Sequence, residues 1–126
     1  MKLATTTLDF SQYVDSQEDA ILHIKNAGFR YIDYSFDMDY NKNIGVACME
    51  SDEYLKRLKS FAQENDVQFV QSHAPMGKPL VKDKYYESFI EANKKCIKAC
   101  SLLGVKNIVI HSGYDTGLSK EDISAL

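Results

Sequence analysis

Two short stretches of the 126-residue chain finish apolar runs in an imidazole: "VQFVQSHAP", residues 67–75, and "VKNIVIHSG", residues 105–113. His73 and His111 each close a run with strand character, and Asp33 sits in a third such run, "RYIDYS", residues 30–35. In a parallel α/β sheet, groups at the C-terminal ends of strands meet in one place. Neighbouring strands lie about 4.8 Å apart, so two inward imidazoles on adjacent strands can bring their nitrogens to one metal ion. His73 and His111 are therefore the candidate metal ligands. Asp33, on the preceding strand, is a candidate to ligate, to orient a histidine or to bind a sugar hydroxyl. His23 stands apart beside Ile21 and Ile24 inside a helical run and reads as a surface residue.

The elements that would position these groups repeat along the chain. Strands are predicted at 2–6, 30–35, 67–72 and 106–111, with helices at 16–27, 52–64 and 83–103 and a fourth helix opening near Ser119. Asp15 ahead of "SQE" has capping-box spacing to Glu18, and Ser51 can cap the second helix. Gly28, Asn65 and Gly104 close the three helices. Along the second, Leu55, Leu58 and Ala62 keep one apolar face; the third carries Tyr86, Phe89, Ile90, Ile97 and Cys100. Strand-helix units of this length imply right-handed crossovers and a parallel sheet.

The strand faces then divide. Ile32 with Tyr34, and Ile108 with Ile110, suit a helix-facing side. The other set holds Tyr31, Asp33 and Ser35, then Val67, Phe69, Gln71 and His73, then Asn107, Val109 and His111. Polar groups near the strand ends on the non-helix face fit a barrel mouth. A doubly wound sheet would show the same alternation, but no GxGxxG or P-loop follows the first strand. The fold expected is thus α/β, with parallel βα repeats forming about half of a TIM-type (β/α)8 barrel in one domain over residues 1–126. Its first and last strands would present unpaired edges open to self-association.

Composition narrows the partners. A net charge of −3 argues against a nucleic-acid surface. No apolar run approaches a membrane span, and no secretory leader is evident, which points to the cytoplasm. Cys48, Cys96 and Cys100, an odd count, read as reduced thiols, the latter two in the core with Phe89 and Ile97. Lys78, Lys82 and Lys84 read as a solvated cluster able to meet an anion. "DMDYNKNIGVACME" starts like a calcium loop, with Asp37, Asp39 and Asn41 alternating. Lys42 stands where the glycine is needed and Cys48 where the bidentate glutamate is, so it reads instead as a loop over the mouth. "HSGYDTG" places Ser112, Gly113 and Tyr114 ahead of a helix N-terminus, where backbone N–H groups can hold an anion. Ser112 has no base nearby to make it a nucleophile.

"ILHIKNAGFRYIDYSF", "QSHAPMG" and "CSLLGVKNIVIHSG" together resemble the xylose isomerase-like barrel superfamily, which includes sugar-phosphate isomerases, epimerases and endonuclease IV-type enzymes. The likeness spans the chain but only the first half of the family barrel. It implies a divalent-metal site at the C-terminal mouth, of zinc, manganese or magnesium, with His73 and His111 at the positions of the endonuclease IV-type zinc histidines. Asp33 takes the place of a family glutamate. Asp33, Ser112 and Gly113 are the implied substrate contacts, and a sugar or sugar phosphate the implied partner. The expected function is isomerisation or epimerisation. A zinc phosphodiesterase and a non-catalytic partial barrel that associates with another chain are the alternatives. The family's main isomerase ligands lie on strands 5 to 8, so the chain alone is expected to be inactive.

Overall fold

The computed structural model describes residues 2–41, 51–76, 84 and 86–111, with side chains omitted for 39–41. Four strands, β1 (Ala4–Thr6), β2 (Tyr31–Ser35), β3 (Gln68–His73) and β4 (Ile108–Val109), form one sheet in the order β1-β2-β3-β4. All three pairings are parallel. The helices are α1 (Gln17–Asn26), α2 (Phe36–Asn41), α3 (Asp52–Glu64) and α4 (Tyr86–Leu103). This is the consecutive strand order of a barrel wall, and it matches part of a TIM barrel.

The helices start and stop for local reasons. Ser51 accepts from the Tyr54 N–H at the start of α3, as its position predicts. At α1 the cap is Ser16, one residue beyond the expected Asp15; its hydroxyl accepts from Asp19 N–H and donates to the Asp19 carboxylate. Gly28 and Gly104 take positive φ, +89° and +81°, to end α1 and α4. After α3 the same turn falls on Asp66, at φ 65°, with Asn65 as the cap before it. Asp66 is an acceptable residue there because its short polar chain tolerates the left-handed region.

One face of the sheet is sealed by helices. Ile32 and Tyr34 from β2, Ile21 and Ile24 from α1, Leu55 and Leu58 from α3, and Cys96 from α4 are fully or almost fully buried in one cluster. The Tyr34 ring meets Phe36 and Phe69 edge-on, at 4.8 and 5.4 Å between centroids. Cys96 and Cys100 are both buried and neither is in a disulfide, as core thiols should be. Two residues expected inside are not. Ile97 is 51% exposed, because the inward stripe of α4 runs through Phe89, Ala92, Asn93, Cys96, Ala99, Cys100 and Leu103, and Ile110, just past β4, is 46% exposed.

The segment after β2 is the other departure. A single strand-to-loop exit was expected, but Phe36–Asn41 winds into α2 and buries Phe36 and Met38. Met38 joins Val14 and Ala20 in a second small cluster against Leu8 and Phe10. The calcium-like run beyond Asn41, with Lys42 and Cys48, lies outside the described residues. So do Lys78 and Lys82, and Ser119 with the helix expected there.

Candidate functional site

The strand ends are set by register. Across the sheet, Thr6 pairs with Asp33 and Asp33 with Gln71; one pleat further on, Ser35 pairs with His73 and His73 with Val109. Asp33 and His73 are thus diagonal neighbours on adjacent strands. His73 Nδ1 lies 2.9 Å from the Asp33 carboxylate, and Gln71 Nε2 donates to Asp33 Oδ2 at 2.7 Å. The Asp33 side chain is 13% exposed and that of His73 32%. The pair is screened but reachable.

His111, two residues beyond Val109, brings its ring near that of His73, 5.6 Å between centroids and 27° from parallel. With Zn–N distances of about 2.0–2.1 Å, two imidazoles that share an ion hold their ring centres roughly 5–6 Å apart. That separation matches two imidazoles around one divalent ion, but the rings are stacked rather than edge-on to a common point, so sharing an ion requires one of them to turn. The Asp33 contact fits as well, since a carboxylate on one ring nitrogen leaves the other free to ligate. Among the described residues there is no group of three His, Cys, Asp or Glu placed to hold a metal. The fit is that of two ligands and their orienting carboxylate.

The face of β3 differs from simple alternation. The register slips between Ile32 and Asp33: Ile32 pairs with Phe69, but Asp33 with Gln71. This β-bulge at Val70 turns Phe69, expected on the His73 side, into the core at 5% exposure, while Gln71 and His73 stay on the open face. Val70, Gln71, Asp33, Thr5 and Lys2 line a hollow of about 500 Å³ on that side. Lys2 Nζ stands 4.8 Å over the Tyr31 ring. A larger hollow, about 690 Å³, opens at the opposite ends of the strands beside Arg30, Lys59, Asp66 and Gly104. That end of a parallel sheet carries stability rather than chemistry.

Ser35, read as a mouth residue, is instead fully buried and structural. Its N–H donates to Thr7 Oγ1, its carbonyl accepts from Gln17 Nε2, and its hydroxyl accepts from Met38 N–H. These bonds fix the turn that leads from β2 into α2 and hold the end of the strand carrying Asp33. Asp37 accepts from Met76 N–H and ties α2 to the exit of β3, next to His73. On the helix side, the Ser72 hydroxyl meets Cys100 Sγ at 3.1 Å, and burial pushes that thiol's pKa up. His23 lies on the surface of α1, its ring stacked on Phe10 at 5.9 Å.

Of the predicted site residues, the structure brings Asp33, His73 and His111 together. Ser112 and Gly113 lie outside the described residues. Gln71 is the one that sequence reasoning placed on the right face without a role. The signal was present, an amide two residues before His73 on one strand, but its partner is forty residues from His73 in sequence.

No described helix is long and apolar enough to cross a membrane. A family model described as a xylose isomerase-like TIM barrel matches residues 21–125. Among solved structures, D-psicose 3-epimerase in the presence of D-fructose aligns with a TM-score of 0.65 at 14% identity, over 99% of this chain and 44% of that one. The probable 3-DHS dehydratase involved in petrobactin synthesis from Bacillus anthracis aligns at 0.63 and 14% identity, over 98% and 43%. No curated protein matches. The chain spans about 44% of the length of the solved structure it matches at 0.65. With four parallel strands in consecutive order and a family match over most of its length, the chain belongs to the xylose isomerase-like TIM barrel family.

Proposed function

We propose that Asp33, His73 and His111 belong to the site of a sugar or sugar-phosphate isomerase or epimerase that works with a divalent metal. The observation that carries this reading is the 2.9 Å contact between Asp33 and His73 Nδ1 at adjacent strand ends, with His111 beside it. A carboxylate can only accept, so it draws the proton of neutral His73 to Nδ1 and leaves Nε2 as the lone-pair nitrogen. His73 and His111 would hold the ion, and imidazole donors favour zinc over magnesium. A divalent ion here would polarise the carbonyl and hydroxyl oxygens of a bound sugar. Asp33 orients His73, and Ser112 and Gly113, which follow β4 in sequence, are the proposed substrate contacts. The likeness to D-psicose 3-epimerase supports a ketose as the substrate class.

A second reading, a zinc phosphodiesterase of the endonuclease IV type, rests on the two histidines brought together at adjacent strand ends. The net charge of −3 weighs against it, since a phosphodiester backbone calls for basic surface. One experiment separates the two. The chain, loaded with zinc, manganese or magnesium, is incubated in D2O with a panel of ketoses and ketose phosphates, and in parallel with an abasic-site duplex. Deuterium uptake at the carbon beside the carbonyl, lost in His73→Ala, would support the isomerase or epimerase reading. Strand cleavage without uptake would transfer the assignment to the phosphodiesterase, and neither activity would favour a non-catalytic barrel that associates with another chain.

A further inference from the structure

We propose that Gln71 is a positioning residue: its amide holds the Asp33 carboxylate in the orientation that fixes the proton of neutral His73 on Nδ1. The inference rests on the reading of Asp33 and His73 as a site pair and extends it to the residue that sets their geometry. At 2.7 Å, the bond from Gln71 Nε2 to Asp33 Oδ2 is as short as a charge-assisted N–H···O bond becomes. It fixes which way the Gln71 amide faces, because the carboxylate offers no donor. It also anchors the carboxylate beside His73, where rotation about the Asp33 side chain would otherwise shift the contact. With the side chain only 13% exposed, solvent is poorly placed to replace a lost partner.

The bulge is the independent observation. With unbroken pairing from Ile32 and Phe69 onward, the residue opposite Asp33 would be Val70, which has no side-chain donor. The extra residue brings Gln71 there instead and keeps His73 one pleat further along the same face. Bulges beside functional groups commonly re-aim a side chain in this way. Here the side chain re-aimed is the one that grips the carboxylate.

The test reads the proton directly. The full chain, uniformly labelled with 15N, is examined by long-range proton–nitrogen spectra above about pH 8, where an ordinary imidazole is neutral. His73 in the unaltered chain should be dominated by the Nδ1–H form. Gln71→Met removes the donor at similar length, and Gln71→Glu keeps polarity but presents a carboxylate that cannot donate. Each should lower the Nδ1–H to Nε2–H ratio by about fivefold or more, the equilibrium worth of one net hydrogen bond. Unchanged ratios in variants that keep dispersed amide spectra overturn the proposal, even where thermal stability falls, since a packing role alone would do that. If one variant does not fold, the other decides. Asp33→Ala separates the two levels: an unchanged ratio there sinks the site pair itself, whereas a ratio that falls there but holds in both Gln71 variants sinks only the role of Gln71.

Discussion

Asp33 and His73, forty residues apart in sequence, meet at 2.9 Å because parallel pairing sets β2 and β3 side by side with their ends level. Neither residue has this neighbour within its own βα unit. The contact is a product of the crossover, and the chemistry proposed for the mouth depends on it.

Removing the carboxylate should therefore be felt at the proposed metal site. Asp33→Ala is expected to weaken zinc binding at His73 and His111 by about 10–100-fold, the usual effect of losing an orienting partner of a ligating histidine. Calorimetric titration of the unaltered and altered chains measures it. Equal affinities would mean that Asp33 does not act through His73.

The bulge makes an unequal pair of neighbours. Phe69→Ala, at a 5% exposed core site, should cost about 3–5 kcal/mol. Val70→Ala, on the partly open face, should cost about 1 kcal/mol or less. Urea unfolding of both variants checks the order. Reversed costs would place Val70 in the core and remove the bulge.

Among the described residues, the turn after α3 is the one left-handed helix exit without a glycine. Asp66→Gly should stabilise by up to about 1 kcal/mol through relief of the positive φ of 65°. The Arg30–Asp66 pair it removes is exposed on both sides and worth less than about 0.5 kcal/mol. The carbonyl of residue 66 remains available to Arg30 Nη1. Gly104→Ala, at φ +81°, should lose more than about 1 kcal/mol. A melting-temperature series on the two variants would contradict this if both moved in the same direction.

Cys100 gives the pH dependence its sign. Burial raises its folded pKa above the ordinary value of 9.0, with the Ser72 contact opposing in part. The folded chain thus keeps the thiol protonated where the unfolded chain has begun to ionise. Stability from this site is intact below pH 9.0 and declines as pH rises from there through the folded pKa. Denaturant midpoints taken across the alkaline range should fall more in the unaltered chain than in Cys100→Ala. At neutral pH, Cys96 and Cys100 should resist a thiol reagent until the chain unfolds; rapid labelling of both in the folded chain would contradict their burial.

Much of the architecture was legible because it rests on local chemistry. Ser51, Gly28 and Gly104 mark helix ends by capping and left-handed turns, which need only a few consecutive residues, and α3 falls on 52–64 as its apolar period requires. The errors arise where a distant neighbour overrides a local pattern. Strict alternation put Phe69 with His73, but the cavity beside Tyr34 takes the ring and Val70 absorbs the slip. Ile97 obeys a helical period yet faces out, since the width of the buried stripe on α4 is set by what packs against it. Ser35 looked like a mouth residue until Thr7, Gln17 and Met38 claimed its polar atoms.

For the site, sequence alone determined that two histidines and an aspartate stand at the ends of parallel strands, because strand period and helix caps are local properties of the chain. Only the tertiary structure decided what they do to one another. In "VKNIVIHSG" nothing states that the ring of His111 lies 5.6 Å from that of His73, or that His73 Nδ1 meets the Asp33 carboxylate. Nor does "VQFVQSHAP" show that Gln71, rather than Val70, reaches across to that carboxylate. Register between strands is a relation among segments joined by whole helices, and one inserted residue resets it.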